Sequence, residues 1–492
     1  MGARPLMRML LTNRAVSGTE REQPSREAAI AAAEAALDDG TLFENLSRAI
    51  ACRTESQRSD SRSSLVAYLT GLVAPYLDDM GFACRIIEHP HAKGPFLVAR
   101  RQEHESLPTI MCYGHGDVVE GLDGWRKGLA PWRLTAADGR WYGRGVADNK
   151  GQHYLNMAAM RAVLETRGHL GFNSVFLIET GEEVGSPGLR QMCAENKDIL
   201  QADILVVSDG PRISADRPTI YLGARGAISF KLSIDARSST YHSGNWGGLL
   251  SNPALQLAHG LSTIASATGQ IRIPEWLPAE IPEAVRAALR ECLVSDDEQS
   301  PKIDSGWGEP GLSAAEKVYG WTSFEVLAFE AGRPRSPMNA VPASAFAVCQ
   351  LRFVVGVDED RILPALREHL DRCGLGMIEV SQTDDEVFHA TRLDPNDPWV
   401  GWVRESLERS IGKPVVVLPN VGASLPNDIF SDLLNMRTIW IPHSYPAAAN
   451  HGVNEHVPLS VVREGLRGMA GLYWDLGEGR GLPATATKKR RI

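Results

Sequence analysis

A chain of 492 residues, 43% hydrophobic and 23% charged, has the material for two or three domains around a large core. Its formal net charge of -9 excludes the basic surface that nucleic-acid binding needs, and no apolar run approaches the length of a membrane span. The seven cysteines are scattered singly with no Cys-x-x-Cys pair, which excludes a disulfide framework or thiolate metal site and fits reduced thiols in the cytoplasm.

Residues 1–24 are polar and aperiodic, and the apolar stretch at 7–11 is broken by Arg8 and too short for a secretory signal. Helices are expected over 28–37, 42–51 and 63–80. The third is amphipathic through Leu65, Tyr68, Leu69, Leu72 and Leu77, with Pro75 placed to kink or split it. Three short β-type runs follow at 82–88, 95–100 and 109–113, the last ending in Gly114-His115-Gly116-Asp117. A turn-rich stretch leads to Arg144-Gly145-Val146-Ala147-Asp148-Asn149-Lys150-Gly151 and a helix over 152–164. The buried strand 174–178 then runs into Glu182-Glu183, a helix lies near 188–193, and strand 203–207 ends in Ser208-Asp209-Gly210. Acids and histidines at the ends of β runs, with strand and helix alternating, argue for an α/β sheet with one active edge.

From 219 the texture changes. Ile228, Phe230, Leu232 and Ile234 alternate as in a strand with one solvated face. A helix over 253–264, a long Pro- and Trp-bearing segment at 273–321, strands at 323–329 and 345–355, a helix over 359–370 and a strand at 377–383 follow. Setting the long segment aside, the order is β-α-β-β-α-β, the split βαβ unit, here read as a domain inserted into the first. The α/β texture returns with helices over 399–411, around 426–434 and over 459–472 and strands at 415–418 and 437–441. The expected division is a catalytic domain from 1–218 and 389–492, interrupted by an inserted domain at 219–388. The basic tail Lys488-Lys489-Arg490-Arg491 reads as a solvated terminus.

The loops collect His115, Asp117, Asp148, Glu182, Glu183, Asp209 and His451. One imidazole per cation, with carboxylates shared between cations, is a ligand set for two divalent ions, zinc first. One of Glu182 and Glu183 would be a ligand and the other a free base beside bound water. Asp117, two residues beyond His115, is placed to orient that ring. Each piece alone has a common alternative, since Glu-Glu suits any surface loop and His-x-Asp, Asp-Asn-Lys-Gly and Asp-Gly are turn compositions. Their succession along one α/β pattern argues for chemistry. His153, His259 and His369 fall within helices and take no role, whereas His443 and His456 flank the His451 segment and compete with it.

Taken together, Tyr113-Gly114-His115-Gly116-Asp117-Val118, the run 142–151, Glu182-Glu183-Val184-Gly185-Ser186, Ser208-Asp209, Tyr241-His242-Ser243-Gly244 and His451-Gly452-Val453-Asn454-Glu455 resemble the M20 family of di-zinc amidohydrolases and peptidases. Within it they are similar to the carnosinase-like dipeptidases. The resemblance implies a mixed-sheet, zinc-exopeptidase-like catalytic domain carrying an inserted ferredoxin-like lid and dimerisation domain. It implies that Asp148 bridges two metal ions, with His115 and Asp209 completing one site and Glu183 and His451 the other. Glu182 would be the general base, Asp117 would steer His115, and His242, usually supplied by the partner subunit, would stabilise the oxyanion. Arg352 would grip a substrate carboxylate, and Gly422-Ala423-Ser424 and the segment opened by Asn339 would contact substrate. Asp209 and the run from His242 to Gly248 resemble the dipeptidase side, while Thr180-Gly181 and the 273–321 segment depart from the pattern and leave the substrate open.

The expected function is metal-dependent hydrolysis of short peptides by a protein that uses two divalent ions, Zn2+ first with Mn2+ or Co2+ as alternatives. It would act as a homodimer joined through the inserted domain, with no nucleic-acid or membrane partner. The runner-up is an N-acyl or N-carbamoyl amino-acid amidohydrolase on the same metals. A catalytically silent binding or scaffold protein is disfavoured because ligand, base and oxyanion residues are all present.

Overall fold

Alternation along the strand Thr109–His115 sets the architecture. Ile110 and Cys112 enter one hydrophobic core, Met111 and Tyr113 another, and all four are buried. A strand buried on both faces needs helices on both. In the structure, a computed structural model that describes residues 24–294, 301–383 and 387–484, helices Lys150–Arg167 and Leu459–Glu478 cover the first face and Leu189–Glu195 the second. The polar stretch before residue 24 and the basic tail lie outside the described residues.

Thr109–His115 sits inside an eight-stranded mixed sheet. The order is Ala83–Ile87, Phe96–Arg101, Asn173–Glu179, Thr109–His115, Ile204–Val207, Arg437–Trp440, Thr219–Tyr221, Val416–Leu418. Four neighbours, from Asn173–Glu179 to Arg437–Trp440, run parallel, so their carboxyl ends share one edge. The chain leaves Thr109–His115 for the strand on one side and afterwards supplies the strand on the other. That topological switch point is where open α/β sheets place ligands.

Between Thr219–Tyr221 and Val416–Leu418 the chain builds a second, antiparallel sheet of order Ser323–Ala331, Ser344–Phe353, Gly226–Asp235, Glu379–Gln382. With helices Pro253–Ile264 and Ile362–Arg372 it has the β-α-β-β-α-β order of a ferredoxin-like unit. The alternation read from the sequence is present: Ile228, Phe230, Leu232 and Ile234 are buried in a separate core with Trp276. The segment 273–321 holds the short helices Glu283–Leu289 and Ala314–Tyr319. Its Ile281, Val285 and Leu289 pack with Val416 and Leu418 of the large sheet.

Three expectations need correction. The helix expected over 63–80 is split, as Arg62–Tyr68, a π-helical turn Leu69–Val73 and Ala74–Asp79, but the interruption lies ahead of Pro75, the second residue of the last piece. The helix around 426–434 is a π-helical turn, Ile429–Leu433. A three-stranded sheet, His456–Pro458, Arg140–Tyr142 and Thr135–Ala137, was not foreseen.

Candidate metal centre

Each candidate ligand follows one of the four parallel strands or a loop held against their edge. His115 is the last residue of Thr109–His115, and Glu182 and Glu183 lie in a 3-10 turn just past Asn173–Glu179. Asp209 comes two residues after Ile204–Val207. Asp148 precedes helix Lys150–Arg167, and its peptide to Asn149 is cis. His451 lies beyond Arg437–Trp440 at φ 61°, a left-handed backbone that histidine adopts more readily than most residues with a Cβ.

These side chains converge on Asp148, whose two oxygens point to different histidines. Oδ1 is 3.0 Å from His115 Nε2, and Oδ2 is 3.3 Å from His451 Nε2. His115 Nε2 is also 3.7 Å from Asp209 Oδ2, and His451 Nε2 is 3.0 Å from Glu183 Oε2. Two triads result, His115–Asp148–Asp209 and Asp148–Glu183–His451, each with its ligand atoms within 4.8 Å of one another. One imidazole and two carboxylates per triad, joined through a common carboxylate, fit a pair of divalent cations. Glu182 belongs to neither triad, and its Oε2 stands 4.0 Å from His115 Nε2.

The electrostatics call for positive charge. Burial raises Glu183 to about 7 and Asp209 to about 6, and the neighbouring Asp148 charge pushes both the same way. Burial, together with the Asp209, Glu183 and Asp148 charges, lifts Glu182 well above the carboxylate range. His115 is fully buried, which disfavours its charged form, yet Asp117 and Asp148 hold it well above the usual imidazole range. Like charges packed this closely demand protons or cations between them.

Asp117 holds the cluster together from behind. Its Oδ1 accepts the Glu182 amide at 3.2 Å and its Oδ2 the Glu183 amide at 3.1 Å, while its backbone oxygen lies 3.1 Å from His115 Nδ1. A donor at Nδ1 leaves Nε2 free as a ligand atom. Behind Asp148, the Asn149 amide nitrogen donates to the Ser208 carbonyl at 2.8 Å, and its Oδ1 meets His153 Nδ1 at 3.0 Å. His153 in turn receives the Tyr68 hydroxyl at 2.6 Å, which gives this helix histidine a structural partner on each side. The two histidines that competed with His451 are placed elsewhere. His456 meets the Tyr445 hydroxyl at 2.6 Å, and both ring nitrogens of buried His443 lack hydrogen-bond partners among the described residues.

Two residues with no role assigned from sequence emerge as central. Glu455 accepts the amides of Gly145, Ala147 and Asp148 at 3.0, 2.9 and 3.2 Å and pairs with Arg144, so it shapes the loop that presents Asp148. Both lie inside sequence runs quoted above, but nothing in the sequence pairs residues 311 positions apart.

The candidate substrate residues form a second group. Arg352 Nη1 donates to Ser424 Oγ at 3.2 Å, and Arg225 Nε donates to the Gly422 carbonyl at 2.9 Å. Ala423 between them is exposed. His242 and Asn339 lie together on a different surface: His242 is exposed, pairs with Ala340 across a two-residue strand, and accepts the Gly244 amide at Nδ1. The Asn339 carbonyl accepts the Ser243 amide at 2.8 Å. No hydrogen bond or ion pair among the described residues joins His242 to either triad.

Residues 111–475 match the family model described as Peptidase family M20/M25/M40. The chain is 34% identical over 412 residues to the human Beta-Ala-His dipeptidase, covering 78% of each chain. It is 27% identical over 403 residues to the Cysteinylglycine-S-conjugate dipeptidase of Corynebacterium striatum, covering 78% of this chain and 84% of that one. The crystal structure of human carnosine dipeptidase 1 superposes with a TM-score of 0.73 at 20% identity, over 93% of this chain and 100% of the other.

Proposed function

This chain belongs to peptidase family M20/M25/M40, and from that premise we propose that it is a metal-dependent dipeptidase whose two ions are held by His115, Asp148 and Asp209 on one side and Asp148, Glu183 and His451 on the other. The observation that carries this reading is the pair of triads sharing Asp148, with Glu182 left over beside them. Bound there, two divalent ions, zinc first with Mn2+ or Co2+ as alternatives, would polarise the scissile carbonyl and activate a water at neutral pH.

The chain's own residues do the rest. Glu182, outside both triads, takes the proton of the attacking water and delivers it to the leaving amine. Asp117 fixes the His115 ring and, through the two amides it accepts, the turn that carries Glu182 and Glu183. Arg352, half-buried beside Ser424 and without an acidic partner among the described residues, grips the terminal carboxylate of the peptide. The loop Gly422-Ala423-Ser424 borders the bound substrate, and Asn339, held beside His242 by the Ser243 amide, reaches it together with that residue.

His242 stabilises the oxyanion from the partner subunit of a homodimer. Its exposure supports this reading, as do Tyr241, Trp246 and Leu249 exposed around it and the edge strand Ser323–Ala331 with Val326, Leu327 and Phe329 open to solvent. In this reading residues 219–388 form the inserted dimerisation domain and 1–218 with 389–492 the catalytic domain. The seven free cysteines support a cytoplasmic location. No helix among the described residues is long and apolar enough to cross a membrane.

The test is turnover of a panel of dipeptides and N-acyl amino acids by metal-stripped protein, with and without added Zn2+, Mn2+ or Co2+. Metal-restored cleavage of dipeptides with a free amino terminus is expected. Turnover restricted to N-acyl or N-carbamoyl amino acids would make the protein a deacylase instead, and two bound ions without turnover of any member would return it to a binding role.

A further inference from the structure

A cavity of about 600 Å3 opens between the stretch leading into Ser323–Ala331 and the second sheet, walled by Ile271, Trp307, Leu312, Val318, Trp321 and Phe324. Its size suits a ligand or a large ligand side chain. Arg225 and Ser323 also line it, and they tie it to the carboxylate end of the proposed site. Arg225 Nη1 donates to Ser323 Oγ at 3.2 Å, while its Nε holds the Gly422 carbonyl. Ser323 lies directly across the sheet from Arg352, and Arg352 holds Ser424. Directly paired residues on neighbouring strands present their side chains on one face about 5 Å apart. The Gly422 backbone also approaches the wall closely, since a Cβ there would stand 3.2 Å from Val318.

The charge of this ring is net positive: Arg225 and Arg352 face one nearby acid, Glu325, which also lines the cavity. Arg225 is 7% exposed, and no ion pair among the described residues neutralises either Arg225 or Arg352. Burial, and then the Arg352 charge, lowers Arg225 to about 10. Two guanidiniums that form no salt bridge among the described residues, against the single nearby carboxylate of Glu325, leave one positive charge for an anion from the ligand. Beyond them the wall is largely aromatic and aliphatic, with Asp304, Glu309, Lys317 and Glu325 as its charged positions.

We propose that this cavity receives the side chain of the substrate's carboxyl-terminal residue, so that the enzyme selects dipeptides ending in a large apolar or aromatic residue. The inference rests on the dipeptidase reading above and on Arg352 holding the terminal carboxylate. With the carboxylate at Arg352, the side chain that branches from the adjoining α-carbon would lie beside Ser323 and extend over Trp321 and Val318, with Glu325 on the same face of the strand as Ser323. The segment 273–321, which departs from the family pattern, supplies Trp307, Leu312, Val318 and Trp321 of the wall and thereby sets the preference.

The experiment compares kcat/KM of the metal-loaded enzyme for Ala-Gly, Ala-Asp, Ala-Phe and Ala-Trp, in the wild type and in Ala314→Phe and Val318→Phe, which fill the cavity from helix Ala314–Tyr319. One methylene in an apolar pocket changes specificity by about 10-fold or more, so Ala-Phe and Ala-Trp should exceed Ala-Gly and Ala-Asp by at least about 10-fold. The filled variants should narrow that ratio, with metal content and melting temperature certifying that they are folded. Either variant suffices if the other fails to fold. Equal rates for Ala-Gly and Ala-Trp, a preference for Ala-Asp, or an aromatic preference that survives filling overturns the assignment of the cavity and leaves the dipeptidase standing. Two bound ions with no dipeptide cleaved overturns the dipeptidase reading itself.

Discussion

Arg144 donates to the Glu455 carboxylate at 2.7 Å in an ion pair whose two side chains are each 1% exposed. The pair joins the loop of Asp148 to the loop of His451, because Arg144 also donates to the Gly452 carbonyl at 2.9 Å while Glu455 accepts the Asp148 amide. Removing one partner of such a buried pair leaves an uncompensated charge, which costs about 3–5 kcal/mol. Arg144→Met should therefore lower unfolding free energy by about that amount. It should also weaken metal binding about 10–100-fold, the usual effect of losing a residue that orients ligands. Denaturant unfolding and a metal titration of the same sample check both.

Asp117→Asn is nearly isosteric yet should be costly. The aspartate offers one oxygen to each of the Glu182 and Glu183 amides. An asparagine turns one of those oxygens into an NH2 that faces another N–H. The turn carrying both glutamates should shift, with metal affinity falling about 10–100-fold and kcat falling beyond what added metal restores. Retention of wild-type kcat at saturating Zn2+ would show that the turn does not depend on this carboxylate.

Glu182 and Glu183 are adjacent in sequence and opposite in consequence. Glu183→Gln removes a member of a triad, so elemental analysis should find close to one ion in place of two. Glu182→Gln should retain both ions and lose about 10²–10⁴ in kcat, the range for a missing general base. Equal metal loss in the two variants would mean the roles are exchanged or shared.

His443 predicts the acid limit of stability. It is buried, and burial followed by the Arg212 charge places it well below the usual imidazole range. The folded chain keeps the ring neutral, whereas the unfolded chain binds a proton below about pH 6.5. The unfolded state thus holds the extra proton, so this contribution is complete above about pH 6.5 and is lost as pH falls toward the folded pKa, at about 1.4 kcal/mol per pH unit. His443→Leu should flatten the pH dependence of the urea midpoint in that window by about one proton. An unchanged slope would assign the acid sensitivity to other groups.

Most of the fold is legible in the sequence wherever burial imposes a periodic pattern on an element. Ile228, Phe230, Leu232 and Ile234 reveal their strand by alternation, and the acids beyond Asn173–Glu179 and Ile204–Val207 reveal the active edge by position. Strands of three residues, such as Arg140–Tyr142 and His456–Pro458, are too short to show a period, yet their pairing of His456 with Tyr142 brings the His451 loop to the Arg144 loop. The π-helical turn at Leu69–Val73 leaves no mark either, because Leu69 and Leu72 continue the apolar spacing of the helix and a single Gly71 does not distinguish a π turn from an α-helix. The partnership of Arg144 and Glu455 depends on contact between distant segments, which residue type and local spacing do not encode.

The strand Arg437–Trp440 lies between Ile204–Val207 and Thr219–Tyr221. A nascent chain that has already emitted both of those strands therefore still has a gap in the middle of its sheet, with an unpaired edge on either side. The gap closes only after the whole second sheet has left the ribosome, and the same late segment then delivers His451. Structural completion and completion of the proposed ligand set thus coincide, and a chain truncated before residue 437 would lack both the middle of its sheet and His451.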